Sequence, residues 1–600
     1  MFIRQTATRN KSTSETYVTY RLVASERSGR QVRQVTLLNL GRHFDLPQAE
    51  WAPLCARIDA LLAGQPALLP QPPAIESLAQ RYAARLIAIR GTAPVAGASA
   101  NYAEIAPESL QLTRPRSVGV EHVGLAAMRW LGLDDVLHDL GFNDRQRAAV
   151  AGSVIGRMAA PGSEMATWRW LCQRSALGEL LGVDFEALSP MQLYRISDRL
   201  VRHRDTIEDA VFHRLRDLFA LPTRVTLYDL TNTYFEGTAT GNPKAARGHS
   251  KEQRSDCPLV TLGLVLDDSG FVRRSRMFAG NVVEATTLQA MLESLAAPPG
   301  ALVILDRGIA TEATIAWLRQ HKYRYLAVSR ERARQFDPAQ ATETLTASGE
   351  TIRLQRVLSE DGTEVRLYCH SAGRETKETA IAARLGQRFE AGLARLAAGL
   401  AKPRGQKDIA RLHERIGRLN QQSRGASQHY EITLTADPTG TRAVALTWQK
   451  TPVEGSMLTH PGVYCLRSGE TGWDAALLWQ TYTMLTDLEA VFRGLKSELG
   501  LRPVFHHNER RTEGHLFITV LAYQIVQAIR CRLKQRGRTM SWTGLREILS
   551  VQQRVTATFR RRDGGILHVR KATAAEPALH EIYRDLALDP TPGGVQRYPA

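Results

Sequence analysis

The sequence has little cysteine. Its six Cys (Cys55, Cys172, Cys257, Cys369, Cys465 and Cys531) are scattered, and none forms a CxxC pair or a zinc-finger spacing with His. That excludes a disulfide framework and a structural zinc site, and makes a reducing cytoplasm the expected compartment. Long apolar runs are missing too: there is no uninterrupted stretch of about 18 such residues, so no membrane span is expected. The opening "MFIRQTATRNKST" lacks the apolar core of a signal peptide. Negative charge is the last shortage, with 60 Asp plus Glu against 78 Lys plus Arg, or +18 in all. An excess of this size favours a polyanionic partner.

What is present fits a large, folded chain. Its 600 residues exceed what one hydrophobic core holds, so several domains are expected, and 43% hydrophobic content suffices to pack them. Residues 17–41 read as two strands around a turn at Ser28–Gly29, and "QAEWAPLCARIDALLAG" as an amphipathic helix ending at Gly64. An Ala, Gly, Pro and Ser-rich stretch over 92–106 suggests a linker. From 117 to 220 the pattern is helical, with Ser189 placed as an N-cap and Pro190 at the first helical position.

The stretch "VTLYDLTNTYFEG" puts Asp229 on the same strand face as Val225, Leu227 and Thr231. Burying an unpaired carboxylate costs several kcal/mol, so a strand end or a cation is required there. Two strands follow in "PLVTLGLVLDDSGFVRRSRMFAG", then a helix over about 283–296, and the short buried strand "ALVILD" ending at Asp306. A helix and the strand "YRYLAVSR" complete a β-β-β-α-β-α-β order. The predicted fold class is α/β: a ribonuclease-H-like mixed sheet with helices on both faces, in which the Asp229 and Asp306 strands are central neighbours. Residues 340–475 change texture, with short strands split by a charged helical stretch, and read as an insertion inside that fold.

A third acid is expected from a helix returning to the sheet. In "TYTMLTDLEAVFRGLKSELG", Tyr482, Glu489 and Lys496 recur every seven residues, about two helical turns, and so share a face with Leu485 and Phe492. Three carboxylates suit Mg²⁺, a hard cation that takes oxygen ligands. Two such ions roughly 4 Å apart assist in-line displacement at phosphorus.

The ordered set "DLTNTYFEG", "RGHSKEQRSDCPLVTLGLVLD", "FAGNVVEATTL", "VILDRGIATEATIAWL" and "YTMLTDLEAVFRGLKSELGLRPVFHHNERRTEGHLFITVLAYQI" resembles DDE transposases of bacterial insertion sequences. The resemblance is to the branch with a Tyr…Arg…Glu…Lys signature and a β-rich insertion. It implies Asp229, Asp306 and Glu489 as catalytic residues holding two Mg²⁺ ions, with Mn²⁺ as substitute. It implies Tyr482 and Lys496 as holders of DNA phosphates. Leu485 stands where the signature has Arg; Arg493, one turn beyond Glu489, is the residue able to replace it. The implied activity is cleavage at the element's terminal inverted repeats and joining of 3′-hydroxyl ends to target DNA. The implied partners are double-stranded DNA and a second copy in a homodimer, with no membrane, in the bacterial cytoplasm at the nucleoid. The alternative is a catalytically silent relative that only binds DNA; the presence of all three acids favours the enzyme.

The expected regions are a β-hairpin plus helix (1–91), a helical DNA-binding region (107–220), the catalytic domain's first part (221–335), the mixed, β-rich insertion (336–474), its second part (475–535) and a helical, basic tail (536–600). Lys244, Arg247, His249, Lys251 and Arg254 form a basic loop, read either as a phosphate clamp or as a solvated surface loop. Asn232 and Tyr234 belong to the site or shape the strand end. Asn281 and Glu284 are read as caps of the next helix. His506, His507 and His515 lack helical i,i+4 pairing and are not read as a metal site. Trp448 and Trp473 are assigned to core packing in preference to base stacking.

Overall fold

The computed structural model describes residues 1–9, 16–28, 31–42, 44–63, 65, 71–90, 102–219, 221, 225–248, 254, 256–295, 299–331, 333–346 and 349–599. Its centre is a nine-stranded sheet built from β1 (Val225–Tyr234), β2 (Leu259–Leu266), β3 (Val272–Ala279), β4 (Leu302–Leu305), β5 (Arg324–Val328), β6 (Thr342–Leu345), β7 (Thr351–Leu358), β8 (Val365–Ser371) and β9 (Val463–Ser468). The spatial order is β6-β7-β8-β9-β5-β4-β1-β2-β3. β4 runs parallel to both β1 and β5, and the remaining neighbours are antiparallel.

The apolar runs explain the middle of this sheet. Every residue of β2 and of β4 is buried, as strands covered on both faces require. One face packs under the helices Leu288–Ser294 and Glu312–Gln320, through Tyr228, Leu230, Val303 and Leu305. The other packs under Ala475–Arg493 and Glu509–Gln535, through Leu227, Leu302 and Ile304. Each such side chain contributes roughly 1.5–3 kcal/mol on burial. The β2–β3 turn closes because the Asp267 carboxylate accepts the Ser269 and Phe271 N–H groups while Gly270 takes a positive φ of 79°.

The insertion does not stand apart from the sheet. β6 to β9 extend it beyond β5, which would otherwise be an exposed edge. A buried ion network seals the junction: the Glu364 carboxylate accepts from Arg467 (2.6 and 3.0 Å), Arg319 (2.9 Å) and the Tyr325 hydroxyl (2.8 Å). Outside the sheet the insertion carries the helices Ala372–Leu400 and Ile409–Gln422 and the hairpin Tyr430–Ala436/Ala443–Lys450.

From 117 to 220 the chain is helical as expected, from Gly119–Trp130 to Arg204–Phe219, and the strand Ile105–Ser117 leads into it. One expectation needs correction. Residues 536–600 are not a helical tail: Gln553–Arg561, Ile566–Ala572 and Gln596–Pro599 join Ile105–Ser117 in a four-stranded sheet. Arg554 and Arg570 are wholly buried there, and both close on the Glu179 carboxylate. These basic residues of the expected tail are therefore structural. At the N-terminus, Phe2–Arg9 adds a third strand to the expected hairpin.

The helix Glu509–Gln535 is long and apolar enough by composition to cross a membrane, yet it runs through the protein interior. It packs against Gly119–Trp130, Asp144–Ala159 and Pro190–Arg202, and so joins the N-terminal helices to the central sheet. Ser189 caps Pro190–Arg202 with Pro190 at its first position, as the sequence requires.

Candidate active site

Parallel pairing of β1 with β4 matches Tyr228 to Leu305. Asp229 and Asp306 are each the next residue, so the two carboxylates leave adjacent strands at the same level. Alternation puts Asp229 on the face of Leu227, and Asp306 on the face of Leu302 and Ile304. That is the face covered by Ala475–Arg493. Asp229 is half-buried, and its Oδ1 accepts the Leu230 N–H at 2.7 Å. Asp306 is half-buried just past β4, and its Oδ1 accepts the Ile309 N–H at 3.2 Å.

The helix Ala475–Arg493 starts where the Asp474 side chain accepts the Leu477 N–H at 2.7 Å. It crosses β1, β4 and β5, with Leu478, Trp479, Val491 and Phe492 buried beneath it. Position 489 lies on this helix; the side chains of 485–489, Leu485 and Glu489 among them, lie outside the described residues. Tyr482 is half-buried and packs on Tyr464, with ring centroids 6.1 Å apart. Arg493 is exposed. Beyond it, Gly494–Glu498 winds as a π-turn that contains the half-buried Lys496. The wider turn takes Lys496 off the straight seven-residue line, which holds only as far as Arg493.

The chain then returns along the end of β1. Thr233 Oγ1 donates to the Leu501 carbonyl (3.2 Å), the Val504 N–H to Tyr234 O (2.9 Å) and the Glu236 N–H to Val504 O (2.9 Å). Of the basic loop, Arg247 is exposed, and Arg254 pairs with both oxygens of Asp256 at 2.8 Å while lying 4.5 Å over the Tyr234 ring. Both arginines line a cavity of about 530 Å³ with Phe235, Glu236 and Cys257. Lys244 is committed elsewhere: its ammonium lies 3.0 Å from Glu509 and 2.9 Å from Glu513, and their hydrogen bonds outweigh burial to raise its pKa. His249 and Lys251 lie outside the described residues.

Several softer expectations resolve. Asn232 Nδ2 donates to Thr261 Oγ1 at 3.4 Å, which ties β1 to β2. Trp448 packs against the Phe389–Leu393–Tyr430 cluster, and Trp473 lies under Arg324. His506 and His515, unlike their sequence spacing, do converge with Glu164 closely enough to hold an ion. Hydrogen bonds occupy that space instead: His506 Nε2 meets Glu164 Oε1 at 2.9 Å, and Arg157 Nη2 donates to His515 Nδ1 at 3.2 Å. A buried guanidinium at that distance opposes a second cation.

The expectation that Asn281 and Glu284 cap a helix is not met. Neither the turn Glu284–Thr286 nor the helix Leu288–Ser294 has a side-chain cap. Instead the Glu284 carboxylate lies against Gly308, two residues beyond Asp306. Burial raises the Tyr228 phenol above its usual range, Thr287 eases the shift, and the charges of Asp229 and Glu284 add to it. Glu284 thus shares the neighbourhood of both aspartates, which reading it as a local cap had missed. The signal was an acid just after the Gly-Asn turn that ends β3.

The donor set here is all oxygen, from half-buried carboxylates at one end of the sheet, and it fits a hard divalent cation. A family model described as a transposase DDE domain matches residues 220–525, which span β1 to β9, the helix Ala475–Arg493 and the helix Glu509–Gln535 as far as residue 525. No curated protein matches the chain.

Proposed function

The chain belongs to the DDE transposases, and on that premise we propose that it cuts DNA at the ends of its own element and joins the freed 3′-hydroxyls to a target. The observation that carries this reading is the side-by-side placement of Asp229 and Asp306 on parallel strands, with the Glu489 helix across the same face. The order β3-β2-β1-β4-β5 supports a ribonuclease-H-like description of this half of the sheet.

Asp229, Asp306 and Glu489 would hold two divalent ions, Mg²⁺ or Mn²⁺. Bound there, such ions activate an attacking oxygen and stabilise the leaving one in displacement at phosphorus. The chain's own residues do the positioning. Arg247 and Arg254 offer cations to the DNA backbone beside the end of β1, and Lys251 belongs to the same loop in sequence. Tyr482, Arg493 and Lys496 offer a phenol and two cations along and beyond the Glu489 helix. Arg493 takes the place of the missing signature Arg, since Leu485 cannot form a bidentate phosphate contact. A homodimer would pair the two element ends.

The test uses purified protein, a labelled duplex carrying the sequence that flanks the gene, and Mg²⁺ or Mn²⁺. Wild type should nick and then transfer the strand, while Asp229→Ala, Asp306→Ala and Glu489→Ala should bind the duplex without cutting it. Metal-dependent cutting by all three variants at the wild-type rate would end the reading.

A further inference from the structure

A fourth carboxylate approaches the site from a different element. β3 ends at Ala279, and the chain turns through Gly280–Val283 into the short turn Glu284–Thr286. Thr287 fixes that turn against β1: its Oγ1 accepts the Tyr228 hydroxyl at 2.6 Å and donates to the Glu284 carbonyl at 2.6 Å. Tyr228 is the residue before Asp229, so the turn is tied to the strand that carries the first acid. A methyl group on Gly308 would collide with Glu284 Oε2 and would sit 3.4 Å from Asp306 Oδ1. Both carboxylates therefore border the space beside the Gly308 Cα. Glu284 is half-buried, and its carboxylate makes no hydrogen bond or ion pair with a described residue. Two carboxylates bordering one space offer oxygen ligands of the kind a hard divalent cation takes.

We propose that Glu284 is a fourth oxygen ligand of the ion site, beside Asp306, and that Gly308 is glycine because any side chain there displaces it. This rests on the reading of Asp229, Asp306 and Glu489 as ion ligands. Glu284 adds a hard donor from a turn independent of the strands and of the Glu489 helix, which suits a site that must hold more than one ion.

The experiment is a Mn²⁺ titration of the full-length protein without DNA, with free Mn²⁺ followed by electron paramagnetic resonance. Wild type is compared with Glu284→Gln, Gly308→Ala, Asp229→Asn and Asp306→Asn. Glu284→Gln should weaken binding of at least one ion by about tenfold or more, the scale on which losing a partner disturbs a metal site. Gly308→Ala should reproduce that loss, and the double variant should be no worse than either single one. If Gly308→Ala fails to fold, Glu284→Gln decides alone. Wild-type binding by Glu284→Gln together with loss in the two Asp variants overturns the proposal and leaves the three-acid reading standing. Wild-type binding by all of them overturns both.

Discussion

Asp306 stands beside Asp229 because Leu305 and Tyr228, the residues before them, are register partners on parallel strands. The pair is therefore set by backbone hydrogen bonding and not by a loop, and small changes elsewhere leave it in place. Asp306→Asn keeps the shape and the Ile309 contact but loses the charge. It should abolish cutting while holding duplex affinity within about twofold, well under the 1.4 kcal/mol that a tenfold change represents. Gel shift and cleavage on one preparation read both.

Arg247 and Lys244 sit in one loop and should behave differently. Arg247 is exposed. Its replacement by Ala should lower the slope of log affinity against log salt by about 0.9, the release expected for one phosphate contact. Lys244 is held by Glu509 and Glu513. Lys244→Ala should leave the slope unchanged and lower the melting temperature instead.

Glu364 is buried among Arg467, Arg319 and Tyr325 where the insertion joins β5. Glu364→Ala leaves the buried Arg467 guanidinium with Glu312 as its remaining carboxylate partner among the described residues and should cost up to about 3–5 kcal/mol, measured by denaturant unfolding. An insertion that folds on its own would show a much smaller loss.

His515 gives a pH dependence with a definite sign. Burial first, then the neighbouring Arg157 guanidinium, lowers its pKa from 6.5 to about 3; Glu164 opposes the shift and His506 adds to it. The folded state thus refuses a proton that the unfolded chain accepts below pH 6.5. The stability this contributes is complete above pH 6.5 and is lost as pH falls toward 3. The unfolding free energy of wild type minus that of His515→Gln should rise with pH up to about 6.5 and then level off. A difference that is flat across this range contradicts a neutral, buried His515.

Much of this was legible in the residues. The unbroken apolar runs of β2 and β4 gave the buried strands, and the Asp at the end of "ALVILD" marked the open end of a central strand. The Ser189–Pro190 start was visible because capping chemistry is local. Pairing was harder. "TIRLQRV" and "TEVRLYCH" read as strands, but nothing local shows that they continue the central sheet, since strand partners are chosen by long-range packing. The last 65 residues misled because their strands and charges are completed from far away: they pair with Ile105–Ser117, and Glu179, 375 and 391 residues from Arg554 and Arg570, neutralises both. Glu284 was hidden because its role depends on a close approach at Gly308. The π-turn at Gly494–Glu498 left no mark that helical periodicity would register.

The most direct measurement is anomalous diffraction from crystals of the protein bound to a DNA end and soaked in Mn²⁺. Manganese peaks bridging the carboxylates of Asp229, Asp306 and Glu489 are the expected result. Peaks confined to other residues, or a Glu489 side chain turned away from both aspartates in that complex, would contradict it.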